Sequence, residues 1–459
     1  MSTLDADYLV VGAGAMGMAF ADALLDHSDA RVVVVDRRHA AGGHWLEAYP
    51  FVRLHQASTF YGVASAVLSG GRLQETGPEA GLHVRASQPE IVDYYARVTE
   101  RLRDTGRVEV LTGTDHVGGR TLVSRVSGRT HELPERCRVV DARYLAPSIP
   151  AESAPPFAVE DGARVVAVND LVRLEEAPSQ YVVVGSGKTA TDAVVWLLGQ
   201  GVDPGAICWV RPREPWMLNR ALIQPDPTVF LGVPATIFES AAASSSLDEM
   251  FVRLEDAGVM MRIDRSVTPT MAKAPTLGEW ELELLRTVED VVRHGHLRSV
   301  ARGRLDFEDG TSVRVADDAV VVHCAADGLR NPPLVPVWGP GAITLQPVRA
   351  GFPCFAGALI GYVEATRRDD DEKNRLCPPS RFGDSLAQWA EMNARGTRAA
   401  MSYSAEPDIK AWADGVALNP SRIPPDHPGS MRLDLARERL AASTAPGLTA
   451  LSALVADAR

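Results

Sequence analysis

The sequence predicts an α/β chain with two doubly wound, dinucleotide-binding (Rossmann-like) units. Two observations carry this. A strand, glycine turn, helix and second strand follow one another at residues 8–36 and again at 180–210. Each unit is then followed by short β-branched runs and a further apolar strand, the alternation expected of a parallel sheet with crossover helices.

The first unit begins with the apolar run Tyr8 to Val11, followed by Gly12-Ala-Gly14-Ala-Met-Gly17 and a helical pattern through Leu25. Arg31 to Val35 is β-branched and ends at Asp36. Gly12 allows the tight turn, Gly14 lets backbone approach a pyrophosphate, and Gly17 lets the helix lie close to the sheet. The helix N-terminus offers N–H groups to phosphate, and Asp36 is placed to accept from an adenosine ribose.

The second unit repeats the pattern. Gln180 to Val184 leads into Gly185-Ser-Gly187-Lys188-Thr189-Ala190, a helix to Leu198, and a strand from Ile207 to Val210. Arg211-Pro-Arg213 follows where the first unit has an acid. Arginine there suits the 2′-phosphate of NADP, which an acid would repel. A P-loop is excluded, because the glycine required five residues before Gly187 is Val182. Arg138 to Ala142 and Ala319 to His323 read as strands returning to a sheet. Val108 to Leu111, Arg120 to Val126 and Thr130 to Leu133 read as a meander, and Arg304 to Phe307 with Ser312 to Val315 as a hairpin. Ser87 to Leu102 reads as a helix capped by Ser87, and from Asp384 onward the pattern is mostly helical.

The chain has 459 residues and 46% hydrophobic content, ample for a large core. Its net charge of −12 argues against nucleic acid or an anionic membrane as partner. Five cysteines without a CxxC spacing argue against disulfides and zinc, so no metal site is expected. His294 and His296 lack a companion ligand at metal-binding spacing. No signal peptide or membrane-length apolar run is visible, so a cytoplasmic location is expected.

Two dinucleotide units on one chain suggest an electron relay, from a diffusible nicotinamide to a tightly held flavin. Here the sequence resembles a family. Gly42-Gly43-His-Trp45 and Tyr49-Pro50-Phe-Val-Arg53-Leu-His55 are similar to the GGxW and YPGxRxD runs of flavin-containing and Baeyer–Villiger (class B) monooxygenases. The resemblance implies a nicotinamide-binding domain inserted in a flavin-binding domain. Residues 1–172 would be the first part of the FAD domain, and 173–330 the NADPH domain, with a helical insertion at about 214–290. Residues 331–459 would hold the FAD-domain return and a C-terminal helical segment.

The implied cofactors are FAD and NADPH. Gly12, Gly14, Gly17 and Asp36 would bind the ADP part of FAD, with Gly43 and Trp45 near the ribityl chain and ring. Gly185, Gly187, Lys188 and Thr189 would face the NADPH pyrophosphate, and Arg211 its 2′-phosphate. Arg53, His55 and Gln56 are the catalytic candidates, on the loop expected to pass the flavin, and Asp327 is a candidate for FAD proximity. The implied activity is NADPH-dependent oxygenation of a small organic substrate by O2 through a flavin C4a-hydroperoxide, with a homodimer as a possible assembly. Three departures stand out: Phe51 replaces the family's glycine, His55 replaces its aspartate, and residues 157–171 contain no histidine where an FxGxxxHxxx(F/W) motif is expected. A reductase or dehydrogenase without oxygen insertion, and a nucleotide-binding sensor without catalysis, remain open alternatives.

Overall fold

Four-residue runs such as Val32–Val35, Tyr181–Val184 and Val320–His323 are buried along their whole length. Strands covered by helices on both faces need no polar alternation, and these runs form the centres of two parallel sheets. The computed structural model describes residues 2–326 and 328–458. Asp327, one of the flavin candidates, lies outside the described residues.

Along the chain, β1 (Tyr8–Val11), α1 (Ala15–Asp26), β2 (Val32–Val35), α2 (Gln88–Asp104), β3 (Val108–Leu111) and β4 (Arg138–Asp141) build most of the first unit. β5 (Arg164–Ala167), β6 (Tyr181–Val184), α3 (Lys188–Gly199), β7 (Ile207–Val210), β8 (Val291–Val292) and β9 (Val320–His323) build the second. The chain then returns through β10 (Ile343–Thr344) and α4 (Pro353–Thr366), and ends with α5 (Leu386–Ser404) and α6 (Met431–Asp457). The first sheet has the order β10-β4-β1-β2-β3 and the second β5-β9-β6-β7-β8, every pairing parallel. Both expected return strands, β4 and β9, therefore sit beside the first strand of their unit.

Two expectations are corrected here. The insertion at about 214–290 is not all helical: it carries the three-stranded sheet Pro215–Asn219, Met260–Met261 and Met271–Leu277, because its runs pair with one another. Val108 to Leu111 is not part of the meander; it pairs in parallel with Val32–Val35 at the sheet edge. The meander is instead Thr114–Gly118, Thr121–Ser124 and Thr130–Glu132. The helix read from Ser87 is present, with a capping box between Ser87 and Glu90.

α4 lies across α1 at very short range, because its glycines remove the side chains in between. A Cβ on Gly357 would stand 2.7 Å from Met16 O, and one on Gly361 2.5 Å from Phe20 O. At the far end of α4, the buried Glu364 accepts from Tyr8 Oη (2.8 Å), Arg138 Nη1 (2.9 Å), Trp338 Nε1 (2.7 Å) and Lys373 Nζ (2.6 Å). That hub ties the amino ends of β1 and β4 to the helix, leaving their carboxyl ends for ligands.

α6 is long and apolar enough, by length and composition, to cross a membrane, with mean hydropathy 1.2. This differs from the expectation of no membrane-length apolar run, because the helix's polar residues are spread along it. Its Gly447 sits so close to Phe238 that a Cβ would approach that residue's Cβ to 2.1 Å, so this stretch packs on the helix Gly232–Ala242.

Candidate functional site

The first cradle follows from backbone geometry. Gly12 adopts φ +110°, and its N–H donates to Val35 O at 2.8 Å. A Cβ on Gly17 would lie 2.0 Å from Gly12 O, so only glycine lets α1 start this close to the turn. Gly14 ends the turn, and no side chain caps α1, which leaves its first N–H groups free of side-chain partners. Asp36 Oδ2 accepts from Ala13 N and Oδ1 from Arg38 N, both at 2.8 Å. The acid thus braces the glycine turn and keeps lone pairs for a hydroxyl.

A second glycine pair closes over the turn. Gly42 N donates to Ala13 O at 2.9 Å, and Gly43, at φ +60°, is so close that its added Cβ would stand 3.0 Å from Gly14 Cα. Trp45 is buried, and its Nε1 donates to Tyr61 Oη at 2.5 Å. Side chains at 14 or 43 would fill this cradle, and a dinucleotide diphosphate needs it left open.

The second cradle repeats the first. Gly185 adopts φ +139°, beside the backbone of Cys324 at the end of β9. An added Cβ on Gly187 meets nothing within 4 Å, and α3 likewise starts without a side-chain cap. Ser186 Oγ is buried without a hydrogen-bond partner, an orphan that a ligand can satisfy. Beside it, a cavity of about 130 Å³ opens at the carboxyl ends of β6 and β7, between Gly185, Val210, Pro212, Phe157, His296 and Glu308.

Beside the second cradle, with Lys188 Nζ 3.9 Å from Glu281 Oε1, lies a buried charged cluster that local sequence patterns did not reveal. Arg220, 1% exposed, pairs with Glu79 and with Glu281 Oε2 (2.6 Å), and Arg85 Nε pairs with Glu79 Oε2 at 2.9 Å. Lys188 pairs with Asp192, and Tyr49 Oη donates to the other oxygen of Asp192 at 2.7 Å. Burial would raise the Glu79 carboxyl, but Arg220 and Arg85 outweigh it and hold it at about 2. Glu281 is lowered in the same way, by Lys188, Arg220 and Arg85.

His55 faces this cluster. Its carbonyl accepts from Arg220 Nε at 2.9 Å, and its Nδ1 accepts from Thr276 N at 3.3 Å. Burial, then the cations Lys188, Arg220 and Arg85, push its pKa down to about 3. This environment favours the neutral imidazole, with Nδ1 as the acceptor and Nε2–H left as a donor. Gln56 is buried next to it. Arg53 is exposed and donates to Arg85 O at 3.2 Å.

Arg211, the candidate for a nucleotide 2′-phosphate, is already engaged by other side chains. It is 2% exposed, stacked 4.5 Å over Trp209 and ion-paired at 2.8 Å with Glu214 Oε1. Arg213 is paired with Asp384 at 2.7 Å. Strand alternation puts Trp209 and Arg211 on one face, but both faces of β7 are covered, so the pattern alone does not mark Arg211 as buried. All five cysteines are buried and free, and among the described residues no three His, Cys, Asp or Glu side chains are placed to hold a metal.

Residues 10–56 match the family model of the NAD(P)-binding Rossmann-like domain. The uncharacterized proteins Rv2000 of Mycobacterium tuberculosis and Mb2023 of Mycobacterium bovis are each 39% identical over 424 residues, 91% of this chain and 78% of theirs. Among solved structures, ε-caprolactone-bound cyclohexanone monooxygenase in its loose conformation superposes with a TM-score of 0.52 at 14% identity, over 89% of this chain and 98% of that one. The chain belongs to the family of these mycobacterial proteins and has the two-unit dinucleotide-binding fold of the flavin monooxygenases.

Proposed function

We propose that this protein is an FAD-dependent oxidoreductase that takes hydride from a reduced nicotinamide dinucleotide and oxygenates a small organic substrate. The observation that carries this is the presence of two dinucleotide cradles on one chain, each with a positive-φ first glycine and a helix start free of side-chain caps. The fold shared with cyclohexanone monooxygenase supports the same reading.

The Gly12–Gly17 turn and the start of α1 hold the FAD diphosphate, with Gly43 closing over it and Asp36 bracing the turn. Gly185, Gly187 and the start of α3, with Lys188 and Thr189, receive the nicotinamide dinucleotide. When bound, FAD accepts the hydride pair and passes electrons to O2. The chain's own residues hold the two cradles in register through Tyr49–Asp192 and the Arg220 cluster. His55, neutral and fixed by Thr276, offers one imidazole nitrogen as a hydrogen-bond partner without adding charge.

The test is direct. Protein reconstituted with FAD should retain flavin absorbance after gel filtration, oxidise reduced nicotinamide, and transfer an atom of isotopically labelled oxygen to a substrate from a panel. Protein that stays colourless after reconstitution overturns the assignment. A second reading, hydride transfer without oxygen insertion, is favoured by His55 standing where the class B pattern has an aspartate. Full anaerobic turnover with an artificial acceptor, and no labelled product, would select it.

A further inference from the structure

The strand β7 ends in an ion pair with spare hydrogen-bonding capacity of both signs. Arg211 Nη2 lies 2.8 Å from Glu214 Oε1, which also accepts from Arg293 Nε (3.1 Å) and Nη2 (3.0 Å). Arg293 Nη2 reaches Asp264 Oδ2 at 2.7 Å as well. The four groups carry two positive and two negative charges and cancel. Within the pair, Arg211 Nε and Nη1 have no acceptor and Glu214 Oε2 has no donor. Arg211 and Glu214 are only 2% and 3% exposed, so water does not compensate these atoms freely. The neighbouring residues Val210 and Pro212 line the cavity beside Gly185.

A group that completes such a pair must donate and accept at once. A sugar hydroxyl does this, giving its hydrogen to a carboxylate and taking one from a guanidinium. A phosphate is acceptor only; it suits Arg211 but sets two like charges together at Glu214. The position after the second strand of such a unit is where the adenosine ribose is read. Resting on the proposal that the second cradle takes a nicotinamide dinucleotide, we infer that the Arg211–Glu214 pair reads a free ribose diol, so that this site prefers NADH over NADPH. Glu214 is then the specificity-determining residue. The next arginine, Arg213, is already committed to Asp384, which also meets Lys273 at 3.5 Å.

The experiment titrates FAD-reconstituted protein with NADH and with NADPH, following tryptophan fluorescence, since Trp209 stacks on Arg211, and calorimetry. Competition by 5′-AMP and by adenosine 2′,5′-bisphosphate isolates the 2′-phosphate itself. NADH and 5′-AMP should bind about tenfold tighter, or more, than their 2′-phosphorylated counterparts. Glu214→Gln should move the ratio toward the phosphorylated ligands by about tenfold or more, because Arg211 then keeps its charge uncancelled. A wild-type preference for NADPH overturns this inference and leaves the nicotinamide reading intact. No binding of any of the four ligands overturns both. If Glu214→Gln does not fold, the wild-type ratio alone decides; if it folds and the ratio is unmoved, Glu214 does not set the preference.

Discussion

Tyr49 Oη donates to Asp192 Oδ2 across 2.7 Å, joining the loop after the first cradle to the first helix of the second. Phe51, two residues on, stacks on Trp196 of the same helix at 4.8 Å. A polar and an aromatic contact thus fasten this loop to α3, alongside the Arg220 cluster.

Tyr49→Phe removes the hydrogen bond and keeps the ring. Tyr49 is buried and its acceptor is a carboxylate, so the expected loss is about 1.5–3 kcal/mol of unfolding free energy. Urea unfolding measures it, and an unchanged midpoint with an unchanged slope would remove the fastening role.

Gly17→Ala and Gly14→Ala should separate folding from cofactor binding. At Gly17 the new methyl meets Gly12 O at 2.0 Å, so α1 must move and the variant should lose both stability and FAD. At Gly14 the methyl finds only Gly43 Cα, at an ordinary 3.7 Å, so this variant should fold with a near-normal melting temperature. It should nevertheless lose flavin affinity, because the methyl stands in the cradle. Retention of FAD by Gly14→Ala, measured by flavin released on denaturation, would show that the diphosphate lies elsewhere.

The glycine turns were legible because their demands are local: a positive φ at Gly12 and Gly185, and a close approach at Gly17, each write themselves into a few adjacent residues. Val108–Leu111 was misplaced because its partner, Val32–Val35, is reached only through an intervening helix and a long loop, and parallel pairing leaves no adjacent turn to mark it. The position of Arg211 after β7 is legible as a ligand-facing one, but its partner is not: Glu214 lies three residues further on and meets it only once the chain turns. The cluster of Glu79, Arg85, Arg220 and Glu281 was invisible because its charges come from three segments far apart in sequence, the Glu79–Arg85 loop, Arg220 and Glu281, each with ordinary neighbours.

Arg220→Met tests that cluster. It leaves Glu79 with Arg85, and Glu281 with two cations at the longer distance of 3.9 Å, Arg85 and Lys188. Breaking a buried pair from one side costs about 3–5 kcal/mol, because the remaining charge stays out of water. The double variant Arg220→Met with Glu281→Gln should be less destabilised than the sum of the two single changes, by about 0.5–3 kcal/mol. Simple additivity in a urea-unfolding cycle would show that the two groups do not act together.

Acid should destabilise the protein from an unusually high pH. Burial, and then Lys188, Arg220 and Arg85, lower His55 to about 3; burial and then Arg38 lower His44 to about 4. In the unfolded chain both titrate near 6.5. Between these values the unfolded chain binds more protons than the folded one, so stability is complete above about pH 6.5 and falls as the pH is lowered, by at most ~1.4 kcal/mol per pH unit for each histidine. Glu79, held at about 2, adds a loss of the same sign below its unfolded value of about 4.5. His55→Asn, which keeps an acceptor for Thr276 N, should flatten the first part of this decline while leaving the Glu79 part in place. Urea unfolding at about pH 5 and about pH 7 decides it: equal stability of the wild-type protein at the two values would mean that neither histidine is held neutral in the folded chain.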